Sequence, residues 1–173
     1  PIASSAASDV YKRQVDDLSA DIPTSIPTLS KSDWITTVNL SAKTEYACIA
    51  VLDLALHHEQ GDPVRIRSIA DNHGIPSRFL VQILLQLKAA GIVSSIRGAS
   101  GGYRLAKDPQ DISLAEVMTA IDGRGAGSQC NAGDTPVTRT LHGVWMEAEA
   151  AEQAKLECTS FAEMAKAIGE NVD

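Results

Sequence analysis

Cysteine is scarce and unpaired in this 173-residue chain: Cys48, Cys130 and Cys158 are scattered, with no C-x-x-C pair among them. That spacing encodes neither a disulfide framework nor an ordinary zinc module, and it suits the reducing cytoplasm. Long apolar runs are also missing. No stretch approaches the roughly 18 apolar residues of a membrane span, and the N-terminus lacks the apolar core of a secretory signal, so a soluble, unexported, cytoplasmic protein is expected, with no membrane partner. A general basic excess is absent too, the net charge being -7, which argues against a protein that coats nucleic acid indiscriminately. What remains is ordinary globular composition, 44% hydrophobic and 21% charged, at the length of one domain plus appendages.

Residues 1–33 mix Pro, Ser, Ala and Asp without apolar periodicity. PTSIPT around Pro23 and Pro27 suits an extended tail, and SSAASDVYKRQ from Ser4 resembles translated adapter sequence. This region is expected to be a disordered tail or a sequence artefact, outside the fold.

The charge is unevenly spread. Residues 62–107 hold Arg65, Arg67, Arg78, Lys88, Arg97, Arg104 and Lys107 against Asp62 and Asp71, a net of +5, between flanks of -4 and -8. A basic island in an acidic chain is a localised footprint for an anion, because a phosphate backbone needs positive charge on one face only.

Within and around that island the element pattern is regular. LSAKTEYACIAVLDLALHH (residues 40–58) predicts a core helix with Ser41 as N-cap and Cys48 inside. Gly61-Asp62-Pro63 stops it. Val64-Arg65-Ile66 reads as a short strand, and residues 68–73 as a brief helix closed by Gly74. After the Ile75-Pro76 turn, a second helix is predicted over 77–90, with Phe79, Leu80, Ile83, Leu84 and Leu87 on one buried face. Ile92 to Arg97 and Gly102 to Ala106 alternate as two strands around a glycine cluster, a β-hairpin. Ser113 with Glu116 is a capping box for a helix to Asp122. A glycine-rich loop containing Cys130 follows, then a long helix from about Thr140 to Glu157 and a last short helix starting near Ser160. The fold class is therefore mainly α with a small β-hairpin. A winged helix-turn-helix domain covers 34–122, a flexible sensor-type loop 123–139, and a dimerisation helix with a C-terminal helix 140–173.

Gly98-Ala99-Ser100-Gly101-Gly102 formally matches the G-x-S-x-G signature of a hydrolase nucleophile. Such an elbow needs a helix after the serine and a parallel sheet beneath it. Here a strand pattern follows Ser100, and the later Asp122 and His142 merely stand in the order of triad partners. G-x-G-x-x-G and a Gly-Lys-Ser ending are absent, so a dinucleotide or P-loop site is excluded as well. An enzyme is not expected. The glycines instead suit a hairpin tip flanked by Arg97 and Arg104, where backbone can approach a phosphate backbone closely.

In a helix-turn-helix the second helix enters the major groove. The side of the 77–90 helix facing away from the core offers Ser77, Arg78, Gln82 and Gln86, with Val81 and Leu85 beside them. Arg78 suits guanine or phosphate, Gln82 suits adenine, and Ser77 suits a phosphate at the helix start. Arg97, Gly98, Ser100, Gly101 and Arg104 complete the candidate DNA-binding set from the hairpin. In the long helix, Leu141, Val144, Trp145, Ala148, Ala151 and Leu156 form an apolar stripe that suits pairing with a second copy. His57, His58 and His73, near helix ends, suggest capping or solvent exposure rather than metal binding.

GIPSRFLVQILLQLKAAGIVSSIRGASGGYRLAKDPQDISLAEVMTAIDG, from Gly74, resembles the Rrf-type winged-helix regulators related to IscR, NsrR and CymR. The likeness begins at LSAKTEYA and continues more loosely through LHGVW (from Leu141) to TSFAEMA (from Thr159). The resemblance implies Gln82 at a base-contacting position, Arg97 in the minor groove, and a homodimer on a palindromic double-stranded DNA operator. Several members hold an iron–sulfur cluster through three cysteines before the dimer helix, and here the sequence departs from them. The loop offers only Cys130, Arg139 stands where the last cysteine is expected, and His142 alone matches a ligand position. No cofactor is expected, Cys130 and His142 being weak metal candidates. The leading reading is a sequence-specific transcriptional regulator, most simply a repressor. The alternatives are a winged-helix protein-interaction module and a redox or iron–sulfur sensing regulator using Cys130.

Overall fold

In a computed structural model of the chain, residues 40–123 and 133–170 are described. The expected tail over 1–33, Cys130 and most of the expected sensor loop fall outside them. The described chain divides into two units, one of residues 40–123 with 159–170, the other of residues 133–158. No helix among the described residues is long and apolar enough to cross a membrane.

The first unit is built on α1 (Ala42–Leu56). Ser41 caps it, its Oγ accepting from the Thr44 N–H at 3.1 Å. Ala47, Ala50, Val51, Leu54 and Ala55 then fall on one buried face at helical spacing. The fully buried Thr44 hydroxyl donates to the Asp122 carboxylate, which Ser41 Oγ also approaches at 3.3 Å. Asp122 is thereby a structural acid at the start of α1, where negative charge suits the helix end.

Two helices and a hairpin pack on α1. They are α2 (Ile66–His73) and α3 (Ser77–Ala89), then β1 (Val93–Ile96) antiparallel to β2 (Gly102–Leu105), with Val93 opposite Leu105 and Ile96 opposite Gly102. Next is α4 (Leu114–Asp122), capped as expected by Ser113, whose Oγ accepts from the Glu116 N–H at 3.2 Å. The core comprises Leu80, Ile83, Leu84 and Leu87 of α3 with Ile69, Ile92, Val93, Leu105, Ile112 and Val117.

Two expectations need correction here. Val64–Ile66 is not a strand: only Val64 pairs, in a single reciprocal bridge with Tyr103 at 2.8 Å each way, and α2 begins at Ile66. The helix starts two residues early because Ile66 already packs against the core ahead of Ile69 and Ala70. Phe79 is not buried but 48% exposed. It lies at the margin of the stripe formed by Leu80, Ile83, Leu84 and Leu87, in the first turn of α3.

The second unit is α5 (Pro136–Cys158), which starts four residues before the expected Thr140. Thr135 supplies the cap, its Oγ1 accepting from the Thr138 N–H at 3.2 Å, and Pro136 occupies the first helical position, where its missing N–H costs nothing. Residues 136–139 are therefore helix rather than loop. No residue of α5 is buried.

After α5 the chain re-enters the first unit. Ser160 bridges Ser113, Leu114 N–H donates to Thr159 O at 2.9 Å, and Phe161 N–H donates to Ile112 O at 3.0 Å. Ser160 and Glu163 cap α6 (Phe161–Glu170) reciprocally at 3.2 Å, and Phe161 is fully buried.

Candidate nucleic-acid interface

The hairpin is joined to both helices of the helix-turn-helix. At its root, Gly102 allows the Val64 bridge, because a Cβ there would lie 2.4 Å from the Val64 carbonyl oxygen. At its tip, Gly98 O accepts from Gly101 N–H at 3.0 Å, and a Cβ on Gly101 would meet Ile96 O at 2.4 Å. The close approach these glycines permit is thus to the chain's own backbone. Arg65, the residue that precedes α2, reaches across to the tip and donates to Ala99 O at 2.8 Å. Lys88, in the last turn of α3, donates to Ser95 Oγ at 2.5 Å on β1.

These bonds divide the basic island by role. Arg65 and Lys88 brace the hairpin, and Lys107 pairs with Glu116 at 2.6 Å. Arg67, Arg78, Arg97 and Arg104 are exposed and form no ion pair among the described residues, which leaves their charge available to an external anion. Sequence reasoning missed the two braces. Both were visible only as positive charge, because the pairings that explain them span 34 and 7 residues.

On α3, Ser77, Arg78, Gln82 and Gln86 are all exposed, as are Val81 and Leu85. The Arg78 guanidinium lies over the Phe79 ring at 5.0 Å from its centroid. On the hairpin, Arg97, Gly98, Ser100 and Arg104 are exposed and Gly101 is half-buried. One unit thus holds every residue proposed from sequence for DNA contact. Ser100 lies between two paired strands, with no helix behind it, so the geometry of a nucleophile elbow is missing.

Residues 40–167 match the family Rrf2, described as "Iron-dependent Transcriptional regulator". The chain belongs to the Rrf2 family. The Rrf2 chain is 35% identical to the HTH-type transcriptional regulator IscR of Aliivibrio salmonicida, over 73% of its own length and 77% of that relative. It is 39% identical to the IscR of Serratia proteamaculans, over 60% of its own length and 66% of that relative. Among solved structures it is similar to CymR, the global cysteine regulator of B. subtilis, at a TM-score of 0.67 and 28% identity, over 75% of this chain and 98% of that one. It is similar also to T. potens IscR, at a TM-score of 0.65 and 33% identity, over 78% of this chain and 90% of that one. These relatives are named as regulators rather than enzymes.

The Rrf2 description raises the question of an iron-containing group, and the donor set of this chain does not fit a three-thiolate cluster. Cys48 is half-buried in α1, where burial first, then the carboxylates of Asp122 and Glu45, push its thiol from 9.0 up to about 12. A cluster needs thiolates. Cys158 ends α5, sixteen residues beyond His142, about 24 Å along the helix at 1.5 Å per residue. Arg139 pairs with Asp134 at 2.9 Å, and His142 is exposed. Cys130 lies outside the described residues. Among those described, no group of three or more His, Cys, Asp or Glu could hold a metal ion.

The expectation of capping or solvent exposure for the histidines is incomplete. His57 Nδ1 donates to Asp53 O at 2.7 Å, and His73 Nε2 donates to Asp53 Oδ1 at 3.0 Å. Asp53 is only 5% exposed. The signal was an acid inside the apolar run VLDLAL, which the helical pattern alone passed over.

Proposed function

We propose that the chain is a sequence-specific DNA-binding transcriptional regulator, acting in the cytoplasm as a homodimer and most simply as a repressor, with no conventional iron–sulfur cluster. The observation that carries the reading is the shared surface of α3 and the braced hairpin. Arg78, Gln82, Arg97 and Arg104 are exposed there without competing acids, in the one region where the acidic chain is basic. In such a fold α3 enters the major groove, where Gln82 can bond adenine and Arg78 guanine or phosphate. The hairpin carries Arg97 toward the adjoining minor groove. Ser77, Gln86, Gly98, Ser100 and Gly101 border the same path, with the Ser77 and Ser100 hydroxyls free to bond phosphate.

The α5 helix favours the dimer. Leu141, Val144 and Trp145 are 54%, 59% and 64% exposed, and with Ala148 and Leu156 they continue one apolar stripe from Leu141 to Leu156 of the 23-residue helix. A second copy covers such a stripe by symmetry and brings two α3 helices to a palindromic site. With one cysteine in the loop where a conventional cluster takes three, control is left to a thiol, a partner or a small ligand.

The test is a mobility-shift titration against the protein's own upstream region beside an unrelated duplex. A retarded band specific to the upstream region, weakened by Arg97→Ala or Gln82→Ala and by rising salt, is the expected result. Equal binding to both duplexes rules out sequence-specific control. No salt-sensitive affinity at all turns the reading toward a protein-interaction module.

A further inference from the structure

Three apolar side chains of α3 are left over once the core is filled. Phe79, Val81 and Leu85 belong neither to the buried cluster nor to the half-buried residues packed around it, and they stand 48%, 39% and 54% exposed. Phe79 is accounted for by the guanidinium stacked on its ring, which fixes the direction of Arg78. Among the described residues, Val81 and Leu85 have no such internal partner. At 100° per residue they interleave with Arg78 and Gln82 at positions i, i+3, i+4 and i+7, one contiguous patch turned away from Leu80, Leu84 and Leu87.

The make-up of that patch selects its occupant. Its aliphatic part is only Val81 and Leu85, neighbours at i and i+4 flanked by Arg78 and Gln82, so it is a single turn long and too short a strip for a protein helix. The α3 sequence SRFLVQILLQLKA contains no acid, and the surrounding charge is +5 over residues 62–107. A surface with donors, aliphatic groups and no carboxylate matches the edge of an A·T pair in the major groove. That edge presents adenine N6 and N7 for an amide and the thymine C5-methyl for an apolar side chain.

We propose that Val81 and Leu85 are specificity residues whose side chains receive thymine C5-methyl groups on either side of an adenine read by Gln82. This rests on the assignment of α3 to the major groove and goes further by stating which base pairs it selects: the half-site holds A·T pairs in the register of this patch. Guanine or cytosine presents no methyl there, and cytosine adds an amino donor that meets only aliphatic carbon.

The experiment begins with duplexes enriched from a random pool by the full chain, whose affinity is measured by fluorescence anisotropy. Each thymine of a half-site is then replaced in turn by uracil, which deletes the methyl and keeps the pairing. Removing one buried methyl corresponds to about 0.8 kcal/mol, close to fourfold in affinity. A drop of roughly that size is expected at one or two thymines, with the drop at each position disappearing in Val81→Ala or Leu85→Ala. Both residues are exposed, so the variants keep the fold; an unchanged circular dichroism spectrum and melting curve verifies this. Equal affinity for every uracil-substituted duplex overturns the methyl contacts while the DNA-reading function stands. A drop that persists undiminished in both variants overturns them as well. Failure to enrich any duplex overturns the DNA-reading function itself.

Discussion

Asp53, one turn before the end of α1, and His73, the last residue of α2, meet at 3.0 Å from Oδ1 to Nε2 across twenty residues of sequence. The carboxylate is almost fully buried, and its other oxygen has no hydrogen-bond partner among the described residues. A buried acid so placed depends on its remaining partner. His73→Ala is expected to destabilise the protein by about 1–3 kcal/mol in urea unfolding, since the carboxylate then loses its one hydrogen bond and keeps only the looser approach of His57 Nδ1 at 3.9 Å. Adding Asp53→Asn to that variant should recover part of the loss, because a neutral amide is cheaper to bury. No recovery would mean that packing of the imidazole, rather than its bond, supports α2.

The hairpin brace separates shape from charge. Arg65→Ala removes the bond to Ala99 O at the tip, an exposed contact worth about 1 kcal/mol or less of global stability. DNA affinity should nevertheless fall several-fold, with the salt slope nearly unchanged, because Arg65 acts by holding the tip. Arg97→Ala should instead lower the slope of log affinity against log salt by about one for each phosphate contact removed. Identical slopes for the two variants would refute this division.

Gly102 has a structural rather than a ligand-binding constraint. A methyl group there collides with the Val64 carbonyl, so Gly102→Ala should break the Val64–Tyr103 bridge and cost about 1–3 kcal/mol in thermal or denaturant unfolding. Hydrogen exchange should show the Val64 and Tyr103 amides losing protection together.

Cys48 should behave oppositely to Cys158. A thiol held up to about 12 is a poor nucleophile at neutral pH, whereas Cys158 is exposed at the end of α5. Peptide mapping after brief iodoacetamide treatment should find Cys158 modified and Cys48 intact until denaturant is added. The linkage has a definite sign. Folding favours the neutral Cys48 thiol, so its contribution is complete below pH 9 and disappears as pH rises from 9 toward 12. Cys48→Ala should flatten the alkaline limb of the stability profile.

The exposed stripe of α5 gives the last test. If the stripe is the proposed dimer interface, Leu141→Lys with Trp145→Lys should leave a monomer in sedimentation equilibrium where the unaltered chain is a dimer, without changing the unfolding of the 40–123 region, whose core contains neither residue. A dimer that survives both charges would place the interface elsewhere.

The helices were legible wherever one face is buried and a cap stands at the right place. Ser41, Ser113 and Ser160 each announce a start, and Leu80, Ile83, Leu84 and Leu87 announce a face. Phe79 misled because periodicity cannot tell the edge of a stripe from its centre when the next turn has not begun. The Val64 pairing looked like a strand because an isolated bridge and a strand share the same β-branched residue. The four extra residues at the start of α5 were encoded in Thr135-Pro136, a cap followed by a first-position proline, hidden beside a glycine-rich stretch. Neither the Asp53–His73 contact nor the Arg65 brace has a local signature, since each depends on the fold bringing distant segments together. Ser77, Arg78, Val81, Gln82, Leu85 and Gln86 were legible as outward residues of α3 where Phe79 was not, and which apolar ones are surplus to the core became clear only from burial.

The bridge between Ser113 and Ser160 has an evolutionary consequence. The chain that returns from α5 is held to the first unit by its own backbone bonds, Thr159 to Leu114 at the start of α4 and Phe161 to Ile112 just before it. The residues of α5, none of them buried, can therefore be exchanged without disturbing the register of the helices and hairpin of the first unit. Arg139 is an instance: it is exposed and answers only to Asp134 at 2.9 Å, so the first unit places no demand on what stands at that position.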